Sequence, residues 1–286
     1  MTGSDMTGRT VLVTGANTGI GRATAMELAR RGARVHIACR SPERAQPVLD
    51  EITAAQGPGA ASFLALDLSD LDSVRAAAQT FVATGEPLHV LIDNAGVAGQ
   101  RGLTADGFEL AFGINHLGHF LFTTLLLDTV VRSAPARVVV VASDSHYGAP
   151  GVDFDAVRRR TVSRTGLPEY GVSKLCNVLF AQELARRLGA AAGNGAAPVT
   201  TYALHPGVIA SDIWRGMPWP VRPLVKMFMK SPDYGAKTPV YCATDPGLSE
   251  RSGRYYDDCA ERAPSERATA ELAAELWERS VAWTTP

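Results

Sequence analysis

Along this chain, short unbroken apolar runs that end at glycine or a small polar residue alternate with longer stretches whose apolar residues recur at helical spacing. The short runs at 10–14, 33–39, 62–66, 88–92, 137–142 and 199–204 predict strands. The stretches at 22–31, 42–56, 108–127 and 170–188 predict the helices between them. The run Leu88–Ile92 is apolar enough to suggest burial on both faces, as in a parallel sheet, and Arg137–Ala142 is an uninterrupted β-branched run, the best strand in the chain. Past residue 204 the texture changes. Trp214, Met217, Trp219, Met227, Phe228 and Met229 mix with prolines between 209 and 231, which forbids one long helix there. Helical runs flanking a short strand at 253–256 close the chain, and residues 190–198 read as a flexible surface insertion. Strand and helix alternate nearly throughout, with no repeat and no interdomain linker. The expectation is one α/β domain over 1–286, a doubly wound parallel sheet flanked by helices.

Composition narrows the function classes. A hydrophobic share of 46% and a charged share of 20% are those of an ordinary globular protein. A net charge of −1 gives no field for nucleic acid or an anionic surface. The four cysteines lack CxxC spacing, so neither a metal centre nor a disulfide framework is expected, and a reducing cytoplasm is. The N-terminus shows no secretory signal, and the apolar stretch at 120–131 is too short and too often interrupted to span a bilayer.

The turns carry the candidate chemistry. Gly15, Gly19 and Gly21 lie between the first strand and the first helix, where backbone N–H groups and a helix N-terminus can face a phosphate. The second strand ends at Cys39, Arg40 and Ser41. An NAD-selective Rossmann protein would carry a ribose-binding acid there; a guanidinium instead suits a 2′-phosphate, unless Arg40 is only a solvated loop charge. Asp67 follows the third strand, and Ser69–Asp72 resembles a capping box. Asn94, Ala95 and Gly96 follow the fourth strand with little bulk. Asn115 sits inside a helix, Ser143 ends a strand, and Tyr170 and Lys174 share one helix face. A phenol ionises near pH about 10, and a nearby lysine is expected to lower that value, so the pair could move protons at neutral pH. As an isolated pair they could equally be a surface helix.

Together these residues resemble the short-chain dehydrogenase/reductase family over nearly the whole chain. The carrying motifs are 14–21, Asn94–Gly96, Asn115, Ser143, 170–174 and 205–207, in the family's order. The segments 38–40, 114–120, 173–180 and 203–207 are similar to the retinol-dehydrogenase-like branch, which includes the WW-domain oxidoreductases and is similar to protochlorophyllide reductases. The resemblance implies a Rossmann fold with a small substrate lid at about 208–238, and a catalytic set of Asn115, Ser143, Tyr170 and Lys174. Tyr170 would be the general acid or base, Ser143 would donate to the substrate oxygen, and Asn115 would hold a water linking Lys174 to solvent. Gly15, Asn17, Thr18, Gly19, Ile20 and Gly21 would cradle the pyrophosphate. Arg40 would meet the 2′-phosphate, and Asp67, Leu68, Asn94, Ala95 and Gly96 the adenosine side. Tyr170, Lys174, Pro206, Gly207 and Val208 would line the rest of the cofactor site.

The implied activity is NADP(H)-dependent interconversion of an alcohol and an aldehyde or ketone, on a hydrophobic small molecule, with NAD(H) the lesser cofactor. A homodimer through the helices at 108–127 and 170–188 is implied by resemblance alone. The alternatives are an NADP(H)-sensing protein without turnover and an NAD(H)-dependent sterol or ketoreductase-type dehydrogenase. The chain departs from the branch at Asp93, Val140 and Ala142, where Asn, Asn and Ser are usual, and the N-terminal apolar segment of membrane-anchored members is not seen.

Overall fold

The computed structural model describes residues 4–191, 199–207 and 231–285. Its strands are β1 (Thr10–Thr14), β2 (Arg34–Cys39), β3 (Ala61–Ala65), β4 (Val90–Asp93), β5 (Ala136–Val141), β6 (Val199–His205), β7 (Arg254–Asp257) and β8 (Ala260–Arg262). They form one sheet in the order β3-β2-β1-β4-β5-β6-β7-β8, parallel up to β7, with β8 antiparallel on the edge. The order reverses at β1, between β2 and β4. In a doubly wound sheet that reversal opens a cleft outside the carboxyl ends of the strands.

Alternation within each strand fills both faces. On β1, Leu12 packs toward one layer and Val11 and Val13 toward the other; on β5, Val138 and Val140 oppose Val139 and Val141. One layer holds α1 (Gly19–Arg30) and α2 (Pro42–Gln56). The other holds α3 (Leu71–Ala83), α4 (Leu110–Arg132) and α5 (Leu167–Ala191). The described residues of the last third add a one-turn helix at Pro232–Gly235 and the longer α6 (Lys237–Thr244) and α7 (Ala270–Thr284).

Several boundaries differ from the sequence pattern for physical reasons. The helix expected to close at Gly189 runs on to Ala191 and starts earlier, at Leu167. The cap of α3 is Asp70, whose carboxylate accepts from Asp72 N and Ser73 N; Ser69 is not the cap and bonds Asp67 instead. α4 begins at Leu110 and widens into a π-helical turn over Gly113–Leu117, which contains Asn115. At 23 residues and mean hydropathy 1.4 this helix is long and apolar enough to cross a bilayer, yet 72% of that window is buried inside the protein. Burial of that kind marks a core helix.

The outer face of α4 and α5, the surface that the resemblance assigns to a homodimer, is covered by α7. Trp277 stacks on Phe180 at 6.0 Å and meets Phe120 edge-on at 5.0 Å. Arg187 lies 4.5 Å over the Trp277 ring and pairs with Glu278 at 2.6 Å. The lid expected at about 208–238 lies mostly outside the described residues, as does Val208.

Candidate active site

At the carboxyl ends of β1, β2 and β4 a cavity of about 720 Å³ opens. Asn17, Thr18, Gly19, Ile20 and Gly21 form one wall, Arg40 and Arg44 a second, Asp67 and Leu68 a third, and Asn94, Ala95 and Gly96 the floor. The backbone is why glycine is needed at the turn. Gly15 holds φ at +67°, and a Cβ there would sit 3.0 Å from Ala95 Cα. A Cβ on Gly21 would lie 2.4 Å from Asn94 Nδ2 and 2.5 Å from the Gly15 carbonyl oxygen, distances no side chain tolerates. Thr18 opens α1 without capping it through its side chain, so the first-turn N–H groups face the cavity. A pyrophosphate fits such a cradle, and the residues present therefore suit a dinucleotide. Asp67 is less free than the sequence suggests: its Oδ1 accepts from Ser69 N at 2.9 Å and Ser69 Oγ at 2.7 Å.

Beyond Gly96 lies the candidate catalytic cluster. A Cβ on Gly96 would meet Asn115 Oδ1 at 3.0 Å and Lys174 Nζ at 3.6 Å, so both groups border the same backbone. Tyr170 is buried, and the Ser143 hydroxyl lies near enough to its phenol to lower its pKa. Ser143 stands at the carboxyl end of β5, where its oxygen accepts from Ser145 N at 3.2 Å. Lys174 donates to the Val141 carbonyl at 2.7 Å, and its Nζ lies 5.7 Å from the Tyr170 ring centre. The structure thus brings Asn115, Ser143, Tyr170 and Lys174 together, and places His205, Pro206 and Gly207 at the end of β6 beside Asp144.

One expectation needs correction here. Burial pushes the Tyr170 phenol up to about 12; the nearby Ser143 hydroxyl opposes that rise and the Asp144 charge adds to it. Burial alone brings the Lys174 ammonium down to about 7, so it is only partly charged at neutral pH and does not hold Tyr170 low. The Asn115 side chain is also fully engaged. Its Oδ1 accepts from Val97 N at 2.8 Å, and its Nδ2 donates to Val97 O at 3.0 Å and Ser173 Oγ at 2.8 Å. That amide pins the π turn to the loop after β4.

Residues 9–154 match the short chain dehydrogenase family. Human retinol dehydrogenase 11 is 45% identical over 96% of this chain and 85% of its own length. The chain belongs to the short-chain dehydrogenase family. Human dehydrogenase/reductase SDR family member 13 is 44% identical over 96% of this chain and 73% of its own length. An uncharacterised protein from Mycobacterium paratuberculosis superimposes with a TM-score of 0.77 at 33% identity, covering 99% of this chain and 96% of that one. These relatives put this short-chain dehydrogenase in the retinol-dehydrogenase-like branch. The family fold implies a nicotinamide cofactor.

The site of this dehydrogenase also contains residues that the sequence pattern left aside. Arg44 lines the cavity beside Arg40, one turn into α2, and only its helical offset from Arg40 could have drawn attention to it. His119 joins the two halves of the site. Its Nδ1 donates to the Asn115 carbonyl at 3.1 Å, leaving Nε2 to accept from Thr14 Oγ1 at 2.8 Å. Thr14 Oγ1 accepts in turn from Asn94 N and Ala95 N, each at 2.9 Å. Burial brings His119 down to about 3, so the ring stays neutral in the tautomer this arrangement requires.

Proposed function

We propose that this protein is an NADP(H)-dependent oxidoreductase that interconverts an alcohol and an aldehyde or ketone on a hydrophobic substrate. The observation that carries the reading is a glycine-lined cavity that holds Arg40 and Arg44 and reaches Gly96, whose backbone borders Lys174, with Tyr170 and Ser143 in the cluster beside that lysine. Two guanidiniums and no carboxylate at the end of β2 favour a 2′-phosphate over a bare ribose diol. A bound nicotinamide would supply the hydride-transfer chemistry. Tyr170, protonated at neutral pH, gives its phenolic proton to the substrate oxygen in reduction and takes it back in oxidation. Ser143 donates to that oxygen as charge develops on it. Lys174, fixed by the Val141 carbonyl beside Gly96, is placed to bind the nicotinamide ribose.

The retinol dehydrogenases among the relatives support a hydrophobic alcohol or aldehyde, as do the apolar residues between 209 and 231. Buried free thiols at Cys39, Cys176 and Cys242 suit a cytoplasmic protein. With α7 lying across α4 and α5, a homodimer would need another surface.

The test is NADPH consumption across aldehydes and ketones of graded length, with the reverse assay on the matching alcohols. Turnover with none of them overturns the reading. Arg40→Ala is expected to weaken NADPH binding by roughly 1–3 kcal/mol, the range of a lost charged hydrogen bond, while leaving NADH nearly unaffected. Fluorescence titration with both cofactors measures this, and equal losses would remove Arg40 from the 2′-phosphate. Arg44→Ala is expected to shift NADPH in the same direction.

A further inference from the structure

The rim of the catalytic cluster carries a surface that the dehydrogenase reaction does not use. Two loops run side by side there. Thr161, itself buried, receives a hydrogen bond from Gly102 N at 3.0 Å and donates to the buried Glu109 carboxylate at the start of α4. The loops also close over each other at Gly166, where a Cβ would lie 2.6 Å from the Gln100 carbonyl. This pinned frame presents its apolar residues outward. Val162, directly after the buried Thr161, is 81% exposed, the highest value among the exposed large hydrophobics of the described residues. Leu103 is 46% exposed and Leu167 42%.

Around them stand Arg101, Arg158, Arg159, Arg160 and Arg164, all exposed. Arg158 leans over the Phe108 ring at 4.2 Å. Among the described residues none of these five arginines joins an ion pair. The nearby acids are partly committed elsewhere. Glu169 accepts from Val162 N and from Ser163; Asp153, which accepts from the backbone of Asp155 and Ala156 and feels the Arg159 charge, and Asp155 are the exposed acids at the far end.

In a chain whose net charge is −1, five cations in excess over the neighbouring acids and gathered around exposed aliphatic side chains are complementary to an anionic phospholipid surface. Guanidiniums meet the headgroup phosphates while the aliphatic tips enter the interface. A protein partner with an acidic face would satisfy the charges but would leave less reason for Val162 to stand clear of its own fold. We propose that the loops at 99–103 and 158–167 form a peripheral docking surface for anionic lipid bilayers. Gln100 of the first loop lines the cofactor cavity, and the second loop leads into the helix that carries Tyr170. Docking through them would turn the mouth of the site toward the membrane.

Co-sedimentation of the whole protein with phosphatidylcholine vesicles, with and without about a third phosphatidylserine, tests this without reference to catalysis. Sedimentation with the serine-containing vesicles alone, weakened by added salt, is the expected result. One cation near such a surface is worth about a factor of five, so Arg159→Glu with Arg160→Glu is expected to cut the partition coefficient at least on the order of 30-fold. Val162→Ser is expected to lower it by a smaller factor that added salt does not change. These side chains are exposed, so thermal midpoints should match the parent. Failure of the parent to bind serine-containing vesicles, equal binding to pure phosphatidylcholine, or undiminished binding by the double variant overturns the proposal. An unchanged partition for Val162→Ser overturns its insertion.

Discussion

Replacing Tyr170 with phenylalanine is expected to lower turnover of any carbonyl substrate about 10²–10⁴-fold, the usual contribution of a positioned general acid. The reason is local. Tyr170 is buried beside Ser143, and its phenol is the one group in the cluster that burial holds fully protonated at neutral pH. The Lys174 ammonium, brought down to about 7 and bonded to the Val141 carbonyl, is not positioned to take over. Phenylalanine keeps the ring and its packing, so the fold and the glycine cradle should persist. NADPH affinity by fluorescence titration should therefore stay close to the parent value while the rate of NADPH consumption collapses. A variant that still turns over near the parent rate would remove Tyr170 from the chemistry. A variant that loses NADPH binding in proportion to rate would make it a binding residue instead.

Much of this architecture was legible in the sequence because it rests on local rules. The apolar run at 88–92 announced a strand buried on both sheet faces, and Gly15, Gly19 and Gly21 announced a backbone-lined turn; β4 has that burial and parallel neighbours on both sides, and the turn is there. The spacing of Tyr170 and Lys174 placed them on one helical face, and the fold delivers them to the same end of the sheet as Ser143. What stayed hidden depends on partners distant in the chain. Nothing in the run from Gly113 to Leu117 signals a π turn; it follows from Asn115 being clamped by Val97 and Ser173 across the site. His119 looked like one more residue of an apolar helix until Thr14 lay opposite it. The direction of the Tyr170 shift was missed for a similar reason. Pair spacing gives the sign of a charge interaction, but burial decides which effect wins, and burial is a property of the whole fold.

Asp93→Asn is expected to stabilise the protein by up to about 4 kcal/mol at neutral pH and above, a large share of the roughly 5–15 kcal/mol typical of a folded domain. Asp93 ends β4 with its side chain fully buried. Its Oδ2 accepts from Thr123 Oγ1 at 2.8 Å, while Oδ1 has no hydrogen-bond partner among the described residues. Burial raises its pKa from 3.8 to about 7, against the lowering effect of the Thr123 hydroxyl. The folded state therefore binds this proton more tightly than the unfolded chain does. Stability from this group is full below pH 3.8 and is lost as pH rises to about 7, beyond which a bare carboxylate stays buried. An asparagine carries no charge at any pH, and its amide can donate to Thr123 Oγ1. The gain from the substitution should thus be small in acid, grow across that window and level off above it. Urea denaturation of parent and variant at a series of pH values measures the difference directly. A difference that does not change with pH would mean that Asp93 does not titrate in the folded protein. A variant less stable than its parent at neutral pH would mean that the carboxylate has a stabilising partner.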